Sequence, residues 1–112
     1  MDNTVVGCDI EENSRFKDKS EAFYDKIFTP AEITYCRLKP NPEQHFAVRY
    51  CAKESVVKAL RQLGIEKFHY KDIEIIKDGD VPRIVNMKGF EISCTLSHVR
   101  EYSMAMVLLR KL

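Results

Sequence analysis

Asn41-Pro42-Glu43-Gln44-His45-Phe46-Ala47-Val48-Arg49-Tyr50-Cys51-Ala52-Lys53-Glu54-Ser55-Val56-Val57-Lys58-Ala59-Leu60-Arg61-Gln62-Leu63-Gly64 is the stretch on which the fold turns. Lys39-Pro40 breaks the chain ahead of it. Asn41 is placed to cap a long helix with Pro42 at its first position and Gln44 at its third. Gly64 is placed to end that helix after about Leu63. It is the clearest helix in the sequence, and everything else is arranged before or after it.

Upstream, Thr29-Pro30-Ala31-Glu32 is a capping-box sequence that opens a short helix through about Arg37. From Ser14 to Ile27, Phe16, Phe23 and Ile27 recur at spacings of seven and four, which predicts a helix there too. Thr4-Val5-Val6-Gly7-Cys8-Asp9-Ile10 is a short β-prone run with a carboxylate, Asp9, near its end.

Downstream of Gly64 the period becomes extended. Phe68 to Lys77 reads as a strand, Asp78-Gly79-Asp80 as a turn, and Val81 to Val85 as an edge strand, because Pro82 is unsuited to a central one. Glu91–Leu96 and Ser103–Leu109 complete the strands, joined through Ser97-His98-Val99-Arg100-Glu101. One strand, then helices, then consecutive strands predicts an α+β fold with a largely antiparallel sheet, in a single domain over residues 1–112.

Composition narrows the function classes. With 45% hydrophobic and 31% charged residues the chain is of ordinary soluble type. No apolar run approaches the roughly 20 residues that span a bilayer, and no basic region precedes the apolar start, so no membrane partner and a cytoplasmic location are expected. A net charge of +1, with acids and bases interleaved, lacks the basic stripe of a nucleic-acid binder. Cys8, Cys36, Cys51 and Cys94, taken with His45, His69 and His98, show no zinc spacing and read as reduced thiols. A chain this short buries a limited core and is a candidate for sharing stability with partner subunits.

Glu54 and Lys58 lie four apart on one face of the long helix. Spacing alone makes them a surface ion pair worth about 0.3–0.5 kcal/mol.

Gly7-Cys8-Asp9-Ile10 with Arg15-Phe16 resembles the G-x-D-(I/V)…R-(F/I) opening of holo-acyl-carrier-protein synthases, the small 4'-phosphopantetheinyl transferases. Phe28-Thr29-Pro30-Ala31-Glu32 is similar to their (F/L)-T-x-x-E segment, and the run from Phe46 to Leu60 to their F-A-x-R-(F/Y)-A-A-K-E-A-x-x-K-A signature. Asp72-Ile73-Glu74-Ile75, Pro82, Leu96-Ser97-His98 and Glu101-Tyr102-Ser103-Met104-Ala105 resemble later motifs of the same family, in the same order. The matches cover nearly the whole chain.

The resemblance implies transfer of the 4'-phosphopantetheine arm from coenzyme A to a serine of an apo acyl carrier protein, with release of adenosine 3',5'-bisphosphate. It implies Asp9 and Glu54 as ligands of Mg2+, a hard cation suited to carboxylates plus phosphate oxygens and water. Glu54, directly or through a metal-held water, is the first candidate for the base, and Asp9 the second. Lys58 is implied to stabilise the diphosphate. Arg49 and His98 are implied to meet coenzyme A near its 3'-phosphate, with Pro82 in the same cofactor-binding set, and Arg15 and Phe23 to meet the carrier. A homotrimer with active sites at subunit interfaces is implied as well.

Three positions depart from the pattern. Leu60-Arg61-Gln62-Leu63-Gly64 replaces a glycine-rich turn, Asp78-Gly79-Asp80-Val81 displaces an Asn-Gly before Pro82, and Val99 follows His98 where a hydroxyl is common. They motivate an alternative, a non-catalytic coenzyme A or nucleotide-binding module on the same scaffold. Retention of Asp9, Glu54 and Lys58 favours the enzyme.

Overall fold

The computed structural model describes residues 3–112, so the Met1-Asp2 start lies outside the described residues. Strand β1 (Thr4–Glu12) is followed by a 3-10 turn (Asn13–Phe16), helices α1 (Glu21–Ile27), α2 (Pro30–Arg37) and α3 (Pro42–Gln62), a second 3-10 turn (Tyr70–Asp72), and strands β2 (Glu74–Asp78), β3 (Val81–Val85), β4 (Phe90–His98) and β5 (Tyr102–Lys111). The fold is α+β. An antiparallel sheet of order β1-β5-β4 carries α3 on one face, and β2-β3 forms a separate antiparallel hairpin.

Alternation along the strands decides which side chains meet α3. Val5 and Gly7 of β1 and Ala105, Val107 and Leu109 of β5 are buried, and they pack with Cys51, Ala52, Val56, Val57 and Leu60 of α3. The crossing is closest at Gly7, where a Cβ would lie 1.9 Å from the Ser55 carbonyl oxygen. Only glycine fits there. A second core gathers Phe16, Tyr24, Ile27, Phe28, Ile33, Cys36, Phe46 and Ala47 between the first helices and the N-terminal half of α3.

The capping box forms as read: the Thr29 hydroxyl accepts from Glu32 N–H at 3.2 Å, and Glu32 Oε1 accepts from Thr29 N–H at 2.9 Å. Gly64, at φ +77°, closes α3 with Ile65 N–H donating to Leu60 O and Gly64 N–H to Arg61 O, both at 3.0 Å. That is a Schellman ending. Pro82 sits on the two-stranded hairpin, away from a central strand.

Three expectations are corrected. The helix over Ser14–Ile27 is interrupted, because Asp18 takes φ +58° and Ser20 caps a new helix by accepting from Phe23 N–H. The strand over Phe68–Lys77 begins only at Glu74. Its first half is turned, and Lys53 Nζ takes the carbonyls of Tyr70 (2.8 Å) and Ile73 (2.6 Å), holding them inward toward α3. Asn41 precedes α3 in a left-handed conformation, φ +54°, and makes no side-chain cap. Its backbone carbonyl accepts from Gln44 N–H instead.

Lys53 is fully buried and paired with Glu32 Oε1 at 2.8 Å. Glu32 Oε2 accepts from Ile75 N–H at 2.9 Å, so both carboxylate oxygens are satisfied. A buried pair with all its hydrogen bonds made joins α2, α3 and the start of β2 rigidly.

Candidate active site

The residues of β1 that face α3 continue past Gly7 as Asp9 and Glu11. The side chains of both are nine-tenths buried. Lys58 reaches across from α3, its Nζ 3.2 Å from Asp9 Oδ1 and 3.0 Å from the Cys8 carbonyl. The Glu54–Lys58 pair suggested by spacing is therefore not the one formed: Lys58 turns to Asp9, and Glu54 accepts a hydrogen bond from the Tyr70 hydroxyl on Oε1.

Asp9, Glu11 and Glu54 act on the same surroundings. Burial pushes the Tyr50 phenol up, and the charges of Glu54, Glu11 and Asp9 add to it. Burial also lifts the Glu11 carboxyl to about 7, helped by the close approach and charge of the Asp9 carboxylate and by the charge of Glu54, against the pull of Arg15. The Cys51 thiol, buried beside Asp9, is pushed up for the same reasons. Three acids thus crowd a site with Lys58 and Arg15 as its cations. Asp9 Oδ2 is buried with no hydrogen-bond partner, a costly state for a carboxylate oxygen.

That orphaned oxygen and the surplus negative charge suit a hard divalent cation. Among the described residues no three His, Cys, Asp or Glu side chains are grouped as a complete metal cage. Two carboxylates completed by phosphate oxygens and water are the usual magnesium set, and Asp9 and Glu54 are the carboxylates that would hold such an ion.

A second, positive group lies around the N-terminal half of α3. The Arg49 guanidinium is buried 4.3 Å over the Tyr35 ring, donates to the His45 carbonyl at 3.2 Å, and leaves Nε buried without a partner. The His98 ring nitrogen Nδ1 is 2.7 Å from Gln44 Nε2, and that amide also donates to the Val99 carbonyl. Burial lowers the His45 imidazole, and Arg49, Lys39, His98 and Lys77 lower it further by their charge. Arg49 and His98 therefore share one electropositive neighbourhood, with Lys39 and His45 as members the sequence reading missed. No described hydrogen bond or ion pair joins this group to Asp9, Glu54 or Lys58 within one chain.

The remaining predicted residues fall elsewhere. Pro82 is half-buried on β3, its carbonyl 3.8 Å from the Cys94 thiol. Arg15 is exposed but folds back to pair with Glu11. Phe23 is half-buried, packing on Phe16 with ring centroids 6.1 Å apart and lying 5.5 Å under Lys19 Nζ. Glu11 itself was missed; its signal was the two-residue spacing from Asp9, which sets both on one face of a strand.

A family model for the 4'-phosphopantetheinyl transferase superfamily matches residues 5–107. The chain belongs to this superfamily. Its similarity to holo-acyl-carrier-protein synthases is extensive. That of Chlamydia caviae is 39% identical over 117 residues, covering 94% of this chain and 95% of the relative. That of Halothermothrix orenii is 33% identical over 117 residues, covering 91% and 93%. The crystal structure of the Helicobacter pylori holo-acyl-carrier-protein synthase in complex with coenzyme A superposes with a TM-score of 0.79 at 27% identity, covering 93% of this chain and 98% of that one.

Within the superfamily frame, the departure at Leu60–Gly64 has a structural content. The helix simply runs on through Gln62, whose side chain donates to the Val6 carbonyl at 2.6 Å and ties α3 to β1.

Proposed function

We propose that this transferase moves 4'-phosphopantetheine from coenzyme A to the serine of an apo acyl carrier protein, releasing adenosine 3',5'-bisphosphate. The observation that carries the reading is the convergence of Asp9 from β1 and Lys58 from α3, with Glu54 one turn before Lys58 and an unpartnered Asp9 oxygen at the centre. Mg2+ held by Asp9 and Glu54 would offset phosphate charge and polarise the diphosphate. Lys58 Nζ, half-exposed, shifts from Asp9 to the diphosphate and stabilises charge on the leaving group. Glu54 accepts the serine proton, directly or through a bound water, and Asp9 is the second candidate. Arg49 and His98 form the cofactor group for the 3'-phosphate, and Pro82 lines the cofactor edge. Arg15 and Phe23 meet the carrier.

A homotrimer supplies what one chain keeps apart. The outer face of the β1-β5-β4 sheet exposes Val6, Ile10, Met104, Met106 and Leu108, a contiguous apolar surface suited to burial against other copies. Sites built between copies would bring the positive group of one subunit to the carboxylates of the next. No described helix is long and apolar enough to cross a membrane.

Incubation with apo carrier, coenzyme A and Mg2+ tests the assignment by mass spectrometry. The carrier is expected to gain one phosphopantetheine on its serine. Coenzyme A binding with no gain would reduce the protein to a binding module.

A further inference from the structure

The aromatic side chain that reaches Glu54 comes from the turn between α3 and β2, a segment to which no role is yet assigned. Tyr70 donates its hydroxyl to Glu54 Oε1. Its ring stacks on Tyr50 with centroids 6.0 Å apart and planes 27° from parallel, and Phe68 meets it edge-on at 5.5 Å. Its backbone carbonyl is held by the buried ammonium of Lys53 at 2.8 Å, and Lys53 is itself fixed by Glu32. Ring and backbone are therefore both held: drift would break the hydrogen bond from Lys53 to the Tyr70 carbonyl or the aromatic stack.

We propose that Tyr70 is a positioning residue that holds the Glu54 carboxylate in one orientation, with Oε1 occupied by the hydroxyl and Oε2 left for the cation and the proton. An isolated glutamate on a helix samples several rotamers, and a carboxylate that must ligand an ion and accept a proton gains from losing that freedom before substrate arrives. Supporting hydrogen bonds of this kind are worth about 10–100-fold in metal affinity or activity. The inference rests on Glu54 having the role proposed above.

The test uses the full-length protein in three forms: wild type, Tyr70→Phe and Glu54→Gln. Tyr70→Phe keeps the ring and therefore the stack, so folding should be unchanged in thermal unfolding. Its kcat is expected to fall about tenfold while KM for coenzyme A and for apo carrier stays within twofold, and Mn2+ affinity read by electron paramagnetic resonance without substrate weakens about tenfold. A loss of stability without those changes, or a rise in KM for coenzyme A at unchanged kcat, would make Tyr70 a packing or cofactor-lining residue and overturn the proposal. If Glu54→Gln is inactive while Tyr70→Phe behaves as wild type in kcat and Mn2+ affinity, the positioning role fails and the role of Glu54 stands. If Glu54→Gln keeps normal turnover, both fall.

Discussion

Asp9 and Lys58 pair across the crossing of β1 and α3, Oδ1 to Nζ at 3.2 Å, while the second oxygen of Asp9 is buried without a hydrogen-bond partner. The pair exists because Gly7, two residues earlier on the same strand face, lets α3 approach the sheet to backbone contact. Geometry of the scaffold and geometry of the site are thus set by one stretch, Gly7-Cys8-Asp9.

Gly7→Ala should show this directly. A methyl group at 1.9 Å from the Ser55 carbonyl forces the helix off the strand. We expect a stability loss of at least about 3 kcal/mol in urea unfolding, at or above the upper end for overpacked cores. A loss below 1 kcal/mol, on the order of a surface change, would mean the crossing is looser than described.

Glu11 gives a pH signature in the metal-free protein. Its carboxyl titrates near 7 when folded and near 4.5 when exposed, the shift owing first to burial and then to Asp9. The folded state binds the extra proton, so this contribution to stability is full below the unfolded value and is lost as pH rises from about 4.5 through about 7. Glu11→Gln should therefore gain stability relative to wild type across that window, read as the difference in Tm at successive pH values. A difference that does not change with pH would contradict the crowding of the three acids.

Lys53→Met leaves Glu32 charged and buried without its cation. A cost of about 3–5 kcal/mol is expected from denaturant unfolding. Because Lys53 also holds the Tyr70 and Ile73 carbonyls, amide exchange in 70–75 should speed more than in β4.

Met106 lies at the middle of β5 on the exposed apolar face, paired in register with Cys8 and Thr95. The proposed homotrimer predicts that the wild type sediments as a trimer and Met106→Arg as a monomer, with little change in the circular dichroism of the chain. A variant that stays trimeric would move the interface elsewhere.

The sequence made some of this readable and hid the rest for physical reasons. The capping box at Thr29, the Gly64 ending and the α+β order were legible because each is governed by neighbouring residues. The break at Asp18 was not, since the apolar spacing of Phe16, Phe23 and Ile27 persists across it while the backbone turns. The delayed start of β2 depends on Lys53, some twenty positions earlier, taking carbonyls that a continuous strand would use for pairing. At the site, Asp9, Glu54 and Lys58 were picked out by family likeness, and two of them, Asp9 and Lys58, form the pair at its centre. Glu11, Tyr70 and His45 were passed over because their significance comes only from what the fold sets beside them.

The sharpest measurement is a crystal structure of the protein with coenzyme A and Mg2+. One ion is expected with an oxygen of Asp9 and an oxygen of Glu54 both at about 2.1 Å, completed by water and diphosphate oxygens, and Lys58 Nζ turned to the diphosphate. An ion held without one of the two carboxylates, or a diphosphate bound away from Lys58, would contradict the assignment.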